Sequence, residues 1–135
     1  MRTIINDLLD YGKKHNFEIK LINTLDSDTP SIASTFHQAI VINMNWHNQR
    51  QIPFIICHEI SHLLMCNNHD AQNMRLRGRF NFEYQANCNS IKMLIPYYLE
   101  LIDEKENINY LNFMNYFAIP SNLQNECHKY LKSFI

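Results

Sequence analysis

The stretch PFIICHEISHLL, residues 53–64, lies inside an apolar run from Arg50 to Cys66 that is too long for a strand and reads as a helix. Pro53 falls in its first turn, where a missing N–H does no harm, and Asn67–Asn68 end it. Within the run, His58-Glu59-Ile60-Ser61-His62 places two histidines four residues apart. Such residues lie about 40° from each other around a helix, so both imidazoles face one point, as a tetrahedral zinc ion requires. Ile56, Cys57, Ile60, Leu63 and Leu64 fill the opposite face and give the helix a back to bury while the histidines look into a cleft. The pattern should arise by chance in roughly 2% of chains with this His and Glu content, so its context has to support it. The competing reading is a helix whose histidines only satisfy hydrogen bonds in a core. Against it, two buried imidazoles without partners are costly, and Glu59 stands where its carboxylate can hold a water and take its proton.

A catalytic zinc takes three protein ligands and keeps a fourth position open. His69 is one candidate third ligand, but the spacing H-E-x-x-H-x-x-G-x-x-H would need Gly at 65 and His at 68, where the chain has Met65 and Asn68. Asp70 and Cys66 are near in sequence; Cys66 lies two turns from His58 and too far along the axis. Glu83 is the better candidate. It opens Glu83-Tyr84-Gln85-Ala86-Asn87 at the start of a second helix, where Ala86 would permit close helix approach and Asn87 could orient a ligand histidine. The plain alternative for Glu83 is a solvated carboxylate favoured by the helix macrodipole.

Outward from this pair, Thr3–His15 carries Ile4, Ile5, Leu8 and Leu9 at helical spacing. Phe17–Asn23, Ile32–Phe36 and Ala39–Met44 read as short strands, the last two joined by a tight turn near His37–Gln38. His69–Asn81 shows no periodicity and reads as a loop. The second metal helix is expected over Phe82–Ile95, stopped by Pro96. Tyr97–Glu104, Ile108–Phe117 and Ser121–Phe134 read as further helical pieces. The fold class is therefore α+β: a small, mostly antiparallel sheet packed on two metal-bearing helices, with additional N- and C-terminal helices, in one domain over residues 1–135.

Composition narrows the function. With 46% hydrophobic and 19% charged residues, the chain can bury a core. A net charge of −1 gives no basic footprint, so direct nucleic-acid binding is not expected. Only two glycines, Gly12 and Gly78, are present, which excludes the glycine-rich phosphate cradles. MRTIINDLLDYGKKH has no apolar core of a leader, no window reaches eighteen apolar residues, and the four cysteines then read as free thiols in the cytoplasm.

PFIICHEISHLL followed by EYQANCNSIKMLIP, residues 83–96, resembles the ImmA/IrrE family of zinc metallopeptidases, in which an HExxH helix is paired with a second helix reading E-x-x-A-N. The strand pair Ile32–Met44 and the closing Tyr110–Pro120 also fit the family's order of elements, so the resemblance covers most of residues 17–125. It implies that His58, His62 and Glu83 are zinc ligands and Glu59 the general base of a gluzincin-like metalloendopeptidase. The chain departs at Ser61, where Gly is usual, and at Asn89 and Ser90, where Phe-Ala is usual. Small members of this family are commonly prophage or mobile-element proteins resembling anti-repressors that cleave a helix-turn-helix repressor. That resemblance alone implies such a repressor as the partner.

The alternative from another class is a non-catalytic regulatory protein that keeps the zinc and sequesters a partner; Glu59 favours the enzyme, since a structural site has no use for it. Tyr84, Tyr97, Tyr98 and His37 are candidate donors to a reaction oxyanion. Arg75, Arg77 and Arg79 either meet an acidic substrate segment or are solvated. Trp46 is core or rim, and Cys127-His128 is a weak metal candidate. Ala39–Met44 could hold a peptide by strand addition if it is an edge strand, or could be an inner strand paired on both sides.

Overall fold

The computed structural model describes residues 2–68, 71–104, 106 and 108–135, with the backbone alone for residues 2, 68 and 71–81. Helix α1 (Arg2–Lys14) leads to strands β1 (Glu18–Ile22), β2 (Ile32–Ser34) and β3 (Ala39–Asn43). A short 3-10 turn, Gln49–Gln51, then opens α2 (Ile52–Asn68), followed by α3 (Ala71–Leu101), α4 (Tyr110–Phe117) and α5 (Gln124–Phe134). The fold is α+β. No helix among the described residues is long and apolar enough to cross a membrane.

Strand order is β1-β3-β2. β1 runs parallel to β3 over five residue pairs, Glu18↔Ala39 to Ile22↔Asn43, and β2 runs antiparallel over three, Ile32↔Val41 to Ser34↔Ala39. One expectation is thereby corrected and one open choice decided. The sheet is mixed, because β3 follows β2 through a hairpin and so runs against it, while the chain turns back twice between β1 and β3 and these two therefore run the same way. Ala39–Met44 is the inner strand, with Ile40 and Ile42 fully buried, so it has no free edge for a peptide. The free edge beside the helices belongs to β2.

A buried amide fixes that edge. Asn43 Nδ2 donates to the carbonyls of Asp26 and Thr29 at 2.7 and 2.8 Å, and Asn43 Oδ1 accepts from the Asn45 N–H at 2.9 Å. Its own N–H donates to Ser31 Oγ at 2.8 Å. Three of these four bonds tie Asn43 to the connection that delivers Pro30 and Ser31 to the start of β2, and buried amides are as a rule satisfied in this way.

Helix α2 packs most extensively on α3. Ile56, Cys57, Ile60 and Leu63 are fully buried, as the amphipathic reading required, and meet Ile91, Leu94 and Ile95 in one core with Ile4 and Leu8 of α1 and Phe113 and Phe117 of α4. Helix α3 departs from expectation at both ends. Its backbone is helical from Ala71, through the segment read as a loop, because Ala, Gln, Met, Arg and Leu favour helix without any amphipathic period. It also continues through Pro96 to Leu101. An interior proline costs about 3 kcal/mol, but Leu94, Ile95 and Tyr98 on either side of it are buried and hold the continuation in place.

Candidate metal centre and active-site cleft

Helical spacing brings His58 and His62 of α2 to the same side, and the close packing of α3, whose Ala86 is fully buried, brings Glu83 opposite them. His58 Nε2 lies 3.0 Å from Glu83 Oε2, His62 Nε2 lies 2.9 Å from Glu83 Oε1, and the two Nε2 atoms are 3.1 Å apart. Two ring nitrogens and a carboxylate that converge this closely can share one positive centre. Two imidazoles and one carboxylate are also a donor set that suits zinc. Among the described residues, His58, His62 and Glu83 form the group of His, Cys, Asp and Glu side chains able to hold a metal ion.

Glu59 is buried next to this group. Burial pushes its carboxyl from an ordinary 4.5 up to about 8, and the negative charge of Glu83 adds to the rise. It lines, with the three candidate ligands, a cleft of about 1080 Å³. One wall is Pro30, Ser31, Ile32, Ala33 and Thr35, the segment around β2. Another is Trp46, Gln51, Phe54, Ile55 and Pro120, and Cys66, Phe82 and Asn87 complete the lining. The site is therefore a polar, metal-competent floor under mostly apolar walls and beside an unpaired strand edge.

The family model for the IrrE N-terminal-like domain, Peptidase M78, matches residues 13–124 of the 135-residue chain. The chain belongs to this family. Comparison with curated proteins and with solved structures gives no match. As an IrrE N-terminal-like domain the chain is of metallopeptidase type, and its metal-competent cluster is formed by residues of the two motif segments.

Two of the positions where the chain departs from the resembled pattern, Ser61 and Asn89, meet each other. Ser61 Oγ donates to the Cys57 carbonyl at 2.7 Å and accepts from Asn89 Nδ2 at 2.8 Å. A polar bond thus joins α2 to α3. Ser90 is fully buried and returns its hydroxyl to the Ala86 carbonyl at 2.7 Å.

Other candidates are placed elsewhere. The Tyr84 hydroxyl donates to Glu126 Oε1 at 3.3 Å, toward α5. Tyr98 is buried against Phe113 and Tyr116. Tyr97 has its hydroxyl pushed up by burial and then by Asp7 of α1, and His37 pairs with Ser34 Oγ in the β2–β3 turn. None of the four lines the cleft. Cys57 is fully buried, and Cys127 is buried in the core while its neighbour His128 is exposed against Tyr110. His69, Asp70 and the side chains of Arg75, Arg77 and Arg79 lie outside the described residues.

Sequence reading missed the walls. Trp46, Gln51 and Pro120 come from three separate segments, and only the indole at 46, noted as core or rim, carried any signal.

Proposed function

We propose that the protein is a zinc metalloendopeptidase of the cytoplasm, an anti-repressor that cuts a helix-turn-helix repressor of a phage or mobile element. The observation that carries the peptidase reading is the convergence of His58, His62 and Glu83 with Glu59 buried beside them on the floor of one cleft. The repressor as target is supported by the resemblance to small mobile-element members of the family.

A zinc ion held by His58, His62 and Glu83 would activate a water and polarise the scissile carbonyl as a Lewis acid. Glu59 takes the proton of the attacking water and delivers it to the leaving amine. Burial raises this carboxyl's affinity for a proton, and the charge of a bound dication would lower it again, leaving a carboxylate able to accept the water's proton and release it afterward. The edge of β2 gives an extended peptide main-chain partners across the cleft from α2, the role that β3 cannot fill.

The test is metal analysis of protein purified without added metal, run beside a cleavage assay against repressors encoded nearby. Wild type is expected to carry about one zinc per chain and to cut. Glu59→Gln should keep the metal and lose activity by about 100-fold or more. Equal cleavage by Glu59→Gln would remove the general-base role, and tight partner binding without cleavage would replace the enzyme by a sequestering protein.

A further inference from the structure

We infer that the end of the cleft at the start of α2, walled by Trp46, Phe54, Ile55 and Pro120, is a subsite for a bulky apolar side chain of the residue flanking the scissile bond. The inference rests on the peptidase reading and names the substrate chemistry that reading leaves open. Phe54 lies one turn before His58 on the same helix, with ring centroids 6.5 Å apart, so a side chain seated at this end lies next to the metal-competent imidazoles.

The polar atoms of this wall are turned inward. Trp46 has one donor, Nε1–H, and gives it to Gln51 Oε1 at 2.9 Å. Gln51 Nε2 in turn donates to the Ala118 carbonyl at 2.8 Å, two residues before Pro120. This chain of bonds ties the β3–α2 connection, the start of α2 and the α4–α5 connection into one surface. Besides Gln51, whose amide is engaged in these two bonds, this wall is built of an indole, a phenyl, an aliphatic and a pyrrolidine side chain. Among the described residues the cleft lining contains no lysine, arginine or aspartate, and its two glutamates stand with the imidazoles. A charged or amide side chain entering here would lose its water against a wall whose one amide, Gln51, is already bonded to Trp46 and Ala118, whereas Leu, Met or Phe would bury apolar area, a difference of roughly 10- to 100-fold in affinity.

Trp46 is the single tryptophan of the chain, so its emission reports on this wall alone. The experiment uses the full-length Glu59→Gln protein loaded with zinc. It is titrated with the N-acetyl amides of leucine, phenylalanine, asparagine and lysine while Trp46 emission is followed. The leucine and phenylalanine amides are expected to shift the emission saturably, at least about 10-fold more tightly than the other two. Ile55→Asn, and Pro120→Asn at an exposed position where folding is not at risk, should each abolish that preference and leave zinc content unchanged. Equal response to asparagine or lysine amide, or no saturable response to any, overturns the subsite. A second arm maps wild-type cleavage sites in a peptide library. Cleavage without apolar preference at either flanking position also overturns the subsite while the peptidase reading stands; apolar binding at Trp46 with no cleavage of any library peptide or of the repressors encoded nearby removes the peptidase reading, and with it the assignment of this apolar site to a scissile bond.

Discussion

Glu59 is pressed in one direction by two causes, its own burial and the charge of Glu83. Its folded pKa of about 8 lies above the ordinary 4.5, so between those values the metal-free folded chain holds a proton that the unfolded chain has released. The stabilising balance is therefore fully present below about pH 4.5 and is lost as pH rises toward 8. Urea midpoints of the metal-free protein should fall across that window, and those of Glu59→Gln should fall less; parallel profiles would show that another group sets the slope. A bound dication would oppose the push from Glu83 and flatten the wild-type profile. Glu83 itself is tested against the sequence-adjacent candidates. Glu83→Gln should weaken zinc binding about 100-fold or more in competition with a chelating dye, while His69→Ala leaves it nearly unchanged. His58, Glu59 and His62 were legible because one turn of helix dictates their relation. Glu83 was legible only as a paired motif, since its 3 Å approach depends on tertiary packing.

Among the elements, the α2–α3 pair carries the site, and the Ser61–Asn89 bond is its polar crosspiece. Removing either partner leaves the other's polar group poorly satisfied, so the two losses should not add. A double-mutant cycle with Ser61→Ala and Asn89→Ala is expected to give a coupling of about 1 kcal/mol in unfolding free energy. Additive effects would show that the two residues act separately. The helices themselves were readable from periodicity and caps, but not their lengths: Pro96 marks a stop by local rules, and burial of Leu94, Ile95 and Tyr98 overrides it. Strand existence was readable from alternation, whereas strand order was not, because nothing local tells FEIKLI that it will lie beside AIVIN instead of beside IAS.

At the scale of the molecule, the family match begins at residue 13, yet α1 closes the core through Ile4 and Leu8. Deleting residues 1–12 should therefore destabilise the protein by about 3–6 kcal/mol, the burial of two large aliphatic side chains, and thermal unfolding of the truncated chain would show it. The parallel pairing of β1 with β3 has a consequence in time. β2 and β3 meet through a four-residue turn, but β1 must find β3 across the whole of residues 23–38, and closing that longer loop costs entropy before any contact repays it. The β2–β3 hairpin should thus acquire its amide protection early in refolding, with β1 zipped on afterward, and pulsed hydrogen exchange on a refolding chain would record the order. A nascent or heat-stressed molecule would then pass through a state in which the β1-side edge of the central strand, AIVIN, stands bare. Such an apolar edge recruits other chains, so aggregation of this protein should start from β3 and be suppressed by whatever speeds the docking of β1.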